Sequence, residues 1–212
     1  GIYKTTDYGK TWTKITRGIP ENAFTRVVRE DQTRKDLLFA GTETGLYISW
    51  NGGNDWESFQ LNLPITPITD LRIHQGDLIV ATSGRAFWIL DDLGLLSKYQ
   101  QEMEPFSIFE PESAYIANGS SELDKTDAKF KGTSALSGVN PANGIVLYYH
   151  LPEIKPGEIV TIDIKDAAGK LVRSYSSKKD SLFKSWEGGP SEDPALSTDK
   201  GLNRFVWNMR YP

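Results

Sequence analysis

The sequence contains no cysteine, only two methionines and two histidines, and no long apolar run. The lack of cysteine excludes disulfide bonds and thiol chemistry, and it leaves the cellular compartment open. No stretch approaches the roughly 18 apolar residues that a spanning helix needs, so we predict no membrane span. His74 and His150 stand alone, without the spacing of metal ligands, so neither a metal nor another cofactor is predicted.

Strong charge of either sign is also missing. The formal net charge is -4 over 212 residues, and the Lys and Arg residues form no stripe. A nucleic-acid partner is therefore not expected. The sequence also lacks a phosphate-binding glycine loop and a recognisable Ser-His-Asp set, so we assign no catalytic residue.

Short β-type segments fill residues 1–95. They are rich in β-branched and aromatic residues, and no helical period of similar strength competes with them. Several are apolar on both faces, which predicts sheets that are covered on both sides. We therefore predict an all-β protein whose only helix is a short turn around 95–101. The segments are 26–28, 37–41, 45–49, 78–82 and 86–90.

The composition changes after residue 95. Residues 96–139 are predicted to be a connecting segment, with a short strand at 106–109 and a polar, mobile loop over 117–139. The run of charges from 124 to 131 is typical of a solvated surface.

From residue 140 onward, apolar and polar residues alternate. Val160, Ile162 and Ile164 point to one side of a predicted strand, which the turn 166–169 connects to a strand at 170–175. A loop rich in Ser, Gly and Pro follows over 176–200. The last strand, 202–209, places Phe205, Trp207 and Met209 on one face, which completes a small antiparallel β-sandwich.

An eight-residue pattern recurs in the first part of the chain. Residues 5–12 fit Ser/Thr-x-Asp-x-Gly-x-Thr-Trp, and residues 49–56 repeat the pattern with Asn in place of Asp and Asp in place of Thr. Asp92-Leu93-Gly94 is a third copy that has lost the Trp. The copies lie 44 and 41 residues apart, which is about the length of one four-stranded propeller blade.

Each position of the pattern has a structural role. The Asp or Asn side chain accepts hydrogen bonds from turn amides, the Gly adopts a backbone angle closed to other residues, and the Trp buries a large ring. We expect Asp7 and Asn51 to lie in equivalent hairpin turns, with Trp12 and Trp56 largely buried. The residues assigned to these turns are Thr5, Asp7, Gly9, Thr11, Trp12, Ser49, Asn51, Gly53 and Trp56.

These patterns resemble the Asp-box, or bacterial neuraminidase repeat. The run from Phe39 to Asp92 is similar to large bacterial propeller proteins labelled sortilin-like or BNR-repeat glycosyl hydrolases, although Ser83 stands where that family often has His. Residues 140–144 and 201–210 are similar to the Ig-like domain, of the flagellar hook-capping type, that follows such propellers. The resemblance implies a partial β-propeller of about two blades over 1–95 and a truncated C-terminal Ig-like β-sandwich over 140–212.

The resemblance also implies a function. It indicates a secreted protein, located outside the cell, in the periplasm or at the cell surface, that hydrolyses or binds carbohydrate. The alternative is a sortilin-like propeller that binds peptide or protein ligands without catalysis. The turns 42–45 and 82–85 are predicted on the edge opposite the Asp-boxes, where Glu43 and Arg85 would face each other as a salt bridge or as ligand-binding residues.

Glycoside hydrolysis normally requires two carboxyl groups on either side of the scissile bond. Glu43 has no second carboxylate near it, since Asp91 and Asp92 are expected on the opposite edge, with the Asp-boxes. We therefore expect this chain alone to hydrolyse no glycan.

The repeat register places Gly1 in the third strand of a blade, whereas a closed propeller needs at least four blades. We expect an open arc, incomplete at both ends, that contacts the remaining blades of its parent chain or associates with itself.

Overall fold

The computed structural model describes residues 1–98, 104–114, 119–124, 138–189 and 192–210. The protein is almost entirely β, with 35% strand and 5% helix, which confirms the predicted all-β class. The α-helix found in the described part, α1 (Leu93–Lys98), overlaps the predicted helical turn, whose last residues lie outside the described ones. No helix among the described residues has the length and apolar character needed to cross a membrane.

The chain divides into two compact units, Gly1–Tyr99 and Gln100–Pro212. The described part of unit 1 forms three antiparallel sheets, of two, four and three strands. The strands of unit 1 in chain order are β1 (Tyr3–Lys4), β2 (Thr13–Lys14), β3 (Thr25–Glu30), β4 (Leu38–Thr42), β5 (Gly45–Ser49), β6 (Glu57–Ser58), β7 (Ile68–His74), β8 (Asp77–Thr82) and β9 (Phe87–Leu90).

The hairpin β1–β2 has the same register as the hairpin β5–β6. Tyr3 pairs with Lys14 in the first hairpin. Tyr47 pairs with Ser58 in the second, 44 residues later at both positions. The period seen in the sequence is therefore also the period of strand pairing.

The third sheet, β7–β9, begins with the same strand pairing as the second sheet, β3–β6. Both pairings contain an irregularity in the ladder. The pairing of β3 with β4 shifts between Thr25 and Val27, and the pairing of β7 with β8 shifts between Ile68 and Asp70. Such bulges twist the edge of a sheet and re-aim its side chains. Each of the two sheets thus begins with a bulged strand of the same design.

The four-stranded sheet β3–β6 is apolar on both faces. One face contributes Phe39 and Ile48 to a cluster with residues of β7 and β8, such as Leu71 and Leu78. The other face contributes Ala40 to a second cluster that contains Ile2 and Trp56. The predicted two-sided coverage is confirmed for this sheet, and its hydrophobic burial joins three sheets into one unit.

Unit 2 contains two further sheets. β11 (Ile145–Leu151) lies between β10 (Ser107–Ile108) and β14 (Gly201–Trp207), and β12 (Thr161–Lys165) pairs with β13 (Leu171–Ser176). A 3-10 helix spans Glu122–Asp124. The two sheets share a core of Leu147, Tyr149, Tyr175, Leu196 and Phe205.

The four strands predicted for this part of the chain are all present. The strand predicted at 106–109 is β10, which pairs with β11 and so belongs to the three-stranded sheet. Ile162 and Ile164 pack against the shared core, as the alternation predicts. The last strand ends at Trp207, and Met209 adopts a φ of 57°, so its predicted place on the strand face is wrong. Most of the loop predicted over 117–139 lies outside the described residues.

Candidate functional site

The two eight-residue segments, 5–12 and 49–56, form the same hydrogen-bonded turn. The hydroxyl of Thr5 accepts the Gly9 N–H at 2.8 Å, and the hydroxyl of Ser49 accepts the Gly53 N–H at 2.9 Å. The side-chain Oδ1 of Asp7 accepts the amide of residue 11 at 2.9 Å. The Asn51 Oδ1 accepts the amide of residue 55 at the same distance. Gly9 and Gly53 both have positive φ, of 87° and 88°, which favours glycine there.

The polar residues of the two turns differ in charge. Hydrogen bonds from Thr11 lower the pKa of Asp7 to about 2. In the second turn Asp55 replaces that threonine. Arg17, which follows the first turn in the sequence, forms an ion pair with Asp55 at 2.6 Å and lowers the pKa of its carboxyl group. The substitution therefore adds a link between neighbouring repeats.

The two tryptophans of the turns have different surroundings. Trp56 is 4% exposed, packs against the first hairpin and donates its Nε1–H to the Ile15 carbonyl at 2.8 Å. Trp12 is 61% exposed and donates instead to the carbonyl of Gly9 in its own turn. The expectation that both indoles are buried is wrong for Trp12, because no described residue covers its outer face as the first hairpin covers Trp56.

The third copy of the pattern does not form the turn. Leu90 pairs with Leu78 at the place where Ser49 pairs with Leu38, so the hydroxyl that accepts the glycine amide is missing. The chain enters α1 after Asp92, and Ser97 of this helix donates a hydrogen bond to Asp31. A helix thus stands where the other copies continue into a strand.

The opposite ends of the strands carry a second set of repeated turns. The Glu43 N–H bonds to the Phe24 carbonyl at 3.0 Å, and the Ser83 N–H bonds to the Pro67 carbonyl at 2.8 Å. In both turns a threonine hydroxyl, of Thr42 or Thr82, bonds across the turn to a backbone carbonyl. We call the segments 24–26, 42–45, 65–67 and 82–87 the rim.

The two predicted ligand-binding residues are both on the rim, but they do not pair with each other. Glu43 forms an ion pair with Arg26 of β3. Its turn is tied to Phe24, which brings Glu43 close to Arg26 rather than to the next turn. Arg85 is exposed and has no ion-pair partner in the part of the chain that the structure describes. The predicted Glu43–Arg85 salt bridge is therefore replaced by Glu43–Arg26, and Arg85 faces solvent.

The rim also carries large apolar side chains that are exposed to solvent. Phe24 is 70% exposed, Ile65 is 81% exposed and Phe87 is 76% exposed. The Phe24 carbonyl accepts the Glu43 N–H, and the hydroxyl of Thr66, the residue after Ile65, donates to the Ser83 carbonyl, so the backbone is braced at both places. Loops that a rigid sheet holds in place commonly carry binding residues, which makes the rim a candidate binding surface.

A cavity of about 310 Å³ opens beside β3 and β7. Arg29 of β3 pairs with Asp70 of β7 at 2.8 Å. This cavity was not predicted. Its two strands are about 40 residues apart in the sequence, and the alternation of apolar and polar residues does not show which charged side chains meet when the strands pack together. It is lined by Arg29, Glu30, Gln32, Asp70, Leu71, Arg72 and Ile73.

The carboxylates with raised pKa lie away from the rim. Partial burial and then the charge of Asp92 raise the pKa of Asp77, which begins β8. Asp91 and Asp92 follow β9 at the same end of the sheet, opposite the rim, as predicted. No three His, Cys, Asp or Glu of the described residues are grouped so that they could hold a metal ion.

We expect Asp77→Asn to make unit 1 more stable at pH 7. A carboxyl group whose pKa is higher in the folded than in the unfolded protein binds its proton more tightly when folded, so its ionisation weakens the fold as the pH rises. Asparagine removes this charge and keeps the oxygen that accepts the Asp92 amide at 3.2 Å. Urea unfolding of both proteins from pH 7 to pH 4 measures the difference. The advantage of the variant should shrink as the pH falls, and an unchanged or lower stability at pH 7 would contradict this account.

No protein-family model, curated protein or solved structure matches this chain.

Proposed function

We propose that this chain belongs to a secreted, Asp-box propeller protein that binds carbohydrate, and that its rim contacts the glycan. The observation that carries the proposal is that the rim carries three exposed large apolar side chains, Phe24, Ile65 and Phe87, together with the exposed Arg85. The repeated strand register and the equivalent bonds from the Gly9 and Gly53 amides to a hydroxyl support the propeller assignment.

The rim has the two kinds of group that a sugar requires. A pyranose ring has apolar C–H faces, and their burial against a phenyl ring removes apolar surface from water. Its hydroxyls need polar partners, and Arg85 together with the Arg26–Glu43 pair offers charged donors and an acceptor. These side chains stand on turns that are fixed by backbone hydrogen bonds, which lowers the entropy lost on binding.

Binding fits this chain better than hydrolysis. Two carboxyl groups on either side of one bond are needed for hydrolysis, and the only carboxylate of the rim, Glu43, is held by Arg26. The carboxyl groups with raised pKa, Asp77 and Asp91, lie at the other end of the strands.

Affinity electrophoresis in gels that contain xylan, laminarin or hydroxyethylcellulose tests the proposal. We expect at least one polysaccharide to retard the protein, and we expect Phe87→Ala or Arg85→Ala to weaken binding about tenfold, which corresponds to roughly 1.4 kcal/mol. Ile89→Ala is the matched control, since Ile89 lies on the same strand, is 60% exposed and stands farther from the rim. Equal retardation of the wild type and both rim variants would contradict the proposal. Binding of peptides that depends on Arg85, without retardation by any polysaccharide, would favour the sortilin-like alternative.

A further inference from the structure

The segment 177–200, between β13 and β14, carries a second exposed aromatic group. Its described part contains neither helix nor strand, although it is longer than most connections in compact domains. Both ends are fixed to unit 2. The Lys178 amide bonds to the Ser176 hydroxyl, and Leu196 donates its N–H to the Ser176 carbonyl and is buried in the core.

Two turns give this segment a defined local structure. Asp180 accepts the Leu182 amide with its side chain at 2.9 Å and the Phe183 amide with its carbonyl at 3.2 Å. The Gly189 N–H then bonds to the Trp186 carbonyl at 3.0 Å. This second turn brings the backbone of Gly189 back over the side chain of Trp186.

The Trp186 ring lies flat against Gly189. A Cβ atom added to Gly189 would come within 2.5 to 2.7 Å of Cε2, Cδ2 and Nε1, which lie around the middle of the indole. Only a residue without a side chain leaves room for this contact, so here the glycine is required for space. One face of the ring is covered by backbone, yet the side chain remains 64% exposed. The other face of the indole is therefore presented to solvent.

We propose that Trp186 is a stacking platform for a single pyranose ring of a polysaccharide, at a site in unit 2 that is separate from the rim. A flat ring held on one side and open on the other matches the apolar face of a sugar in size and shape. The exposed Lys184, Ser185 and Glu187 beside it offer donors and acceptors for the hydroxyls.

Other occupants fit this surface less well. One indole presents at most about 250 Å² of contact area, whereas a stable protein interface buries roughly 1,200 Å² or more. Membrane surfaces attract clusters of basic residues, but Lys184 and Glu187 flank Trp186 with opposite charges. A small ligand with an apolar face and polar edges remains the best match.

The test uses the Arg85→Ala protein, so that binding at the rim is already weakened. In gels that contain xylan, laminarin or hydroxyethylcellulose, we expect at least one polysaccharide still to retard Arg85→Ala. Adding Trp186→Ala should weaken this retardation at least about tenfold, whereas adding Trp186→Phe should largely keep it. Adding Trp12→Ala, which removes an equally exposed indole from unit 1, is the matched control and should have no effect.

Two further measurements make the result specific. Gly189→Ala should lower binding at least about fivefold, because the new methyl group displaces the indole. Amide exchange of β13 and β14 should be unchanged in the Trp186 variants, since this side chain is exposed. The platform is refuted if no polysaccharide retards Arg85→Ala, or if adding Trp186→Ala changes nothing. Failure of the rim proposal gives a different pattern, in which the wild type and Arg85→Ala are retarded equally.

Discussion

Trp56→Ala should lower the stability of unit 1 by about 3 to 5 kcal/mol, the usual cost of removing a buried aromatic side chain. The indole is 4% exposed, contacts the apolar residues of the first hairpin and bonds to the Ile15 carbonyl. Its removal leaves a cavity and an unpaired carbonyl between the first two sheets. Native-state hydrogen exchange of the β4 amides measures the loss within unit 1.

Trp12→Ala is the matched control for this result. Trp12 occupies the same place in the pattern, but it is 61% exposed and bonds only within its own turn. We expect the β4 amides to lose at most about 1 kcal/mol of protection. Equal losses in the two variants would mean that Trp56 does not join the sheets as described.

The second large effect is expected in unit 2. Phe205→Ala should cost about 3 to 5 kcal/mol, because Phe205 is 1% exposed and its ring centroid lies 4.6 Å from that of Tyr175 on the other sheet. Hydrogen exchange of the β11 amides reports this loss directly. Leu202→Ala on the same strand is the control, since Leu202 is 55% exposed, and it should change protection by about 0.5 kcal/mol or less.

The same experiment examines the division of the chain into two units. Protection of the β4 amides in unit 1 should stay near the wild-type value in Phe205→Ala, since the units have separate cores. A parallel loss of protection in β4 and β11 would show that the two cores unfold together.

The repeat was predictable because its signals are local. The polar and glycine residues of the eight-residue pattern act within a single turn, so Asp7 and Asn51 could be assigned the same role, as acceptors of turn amides, from the sequence. The β-strands of unit 1 were predictable for a similar reason, since runs such as 45–49 and 78–82 are short, apolar and bounded by turn residues.

The tertiary contacts of each turn could not be predicted from the residues of the turn alone. Trp12 and Trp56 have the same place in the pattern, and their different burial depends on tertiary packing, since Ile15 and Ile19 pack in one cluster with Trp56. The partner of Glu43 depends in the same way on strand register, which brings Arg26 to the turn. Neither the burial of Trp56 nor the partner of Glu43 can be derived from the neighbouring residues in the sequence.

Two surfaces left only weak signals in the sequence. The cavity beside β3 and β7 is formed by strand edges that meet only in the folded unit. Trp186 lies in a loop rich in Ser, Gly and Pro, where an aromatic residue three positions before a glycine gives no indication that its ring lies on that glycine. The available signal was a Trp in an unusually long, polar connection.

The most direct test of the proposed carbohydrate site is a map of backbone amide shifts for unit 1. Xylohexaose, cellohexaose and laminarihexaose would each be titrated into isotope-labelled protein until the shifts stop changing. We expect at least one of them to shift amides of the rim, at 24–26, 42–45, 65–66 and 82–87, while the repeated turns at 5–12 and 49–56 stay unchanged. Unchanged rim amides with all three hexasaccharides, or shifts confined to the turns at 5–12 and 49–56, would contradict the account.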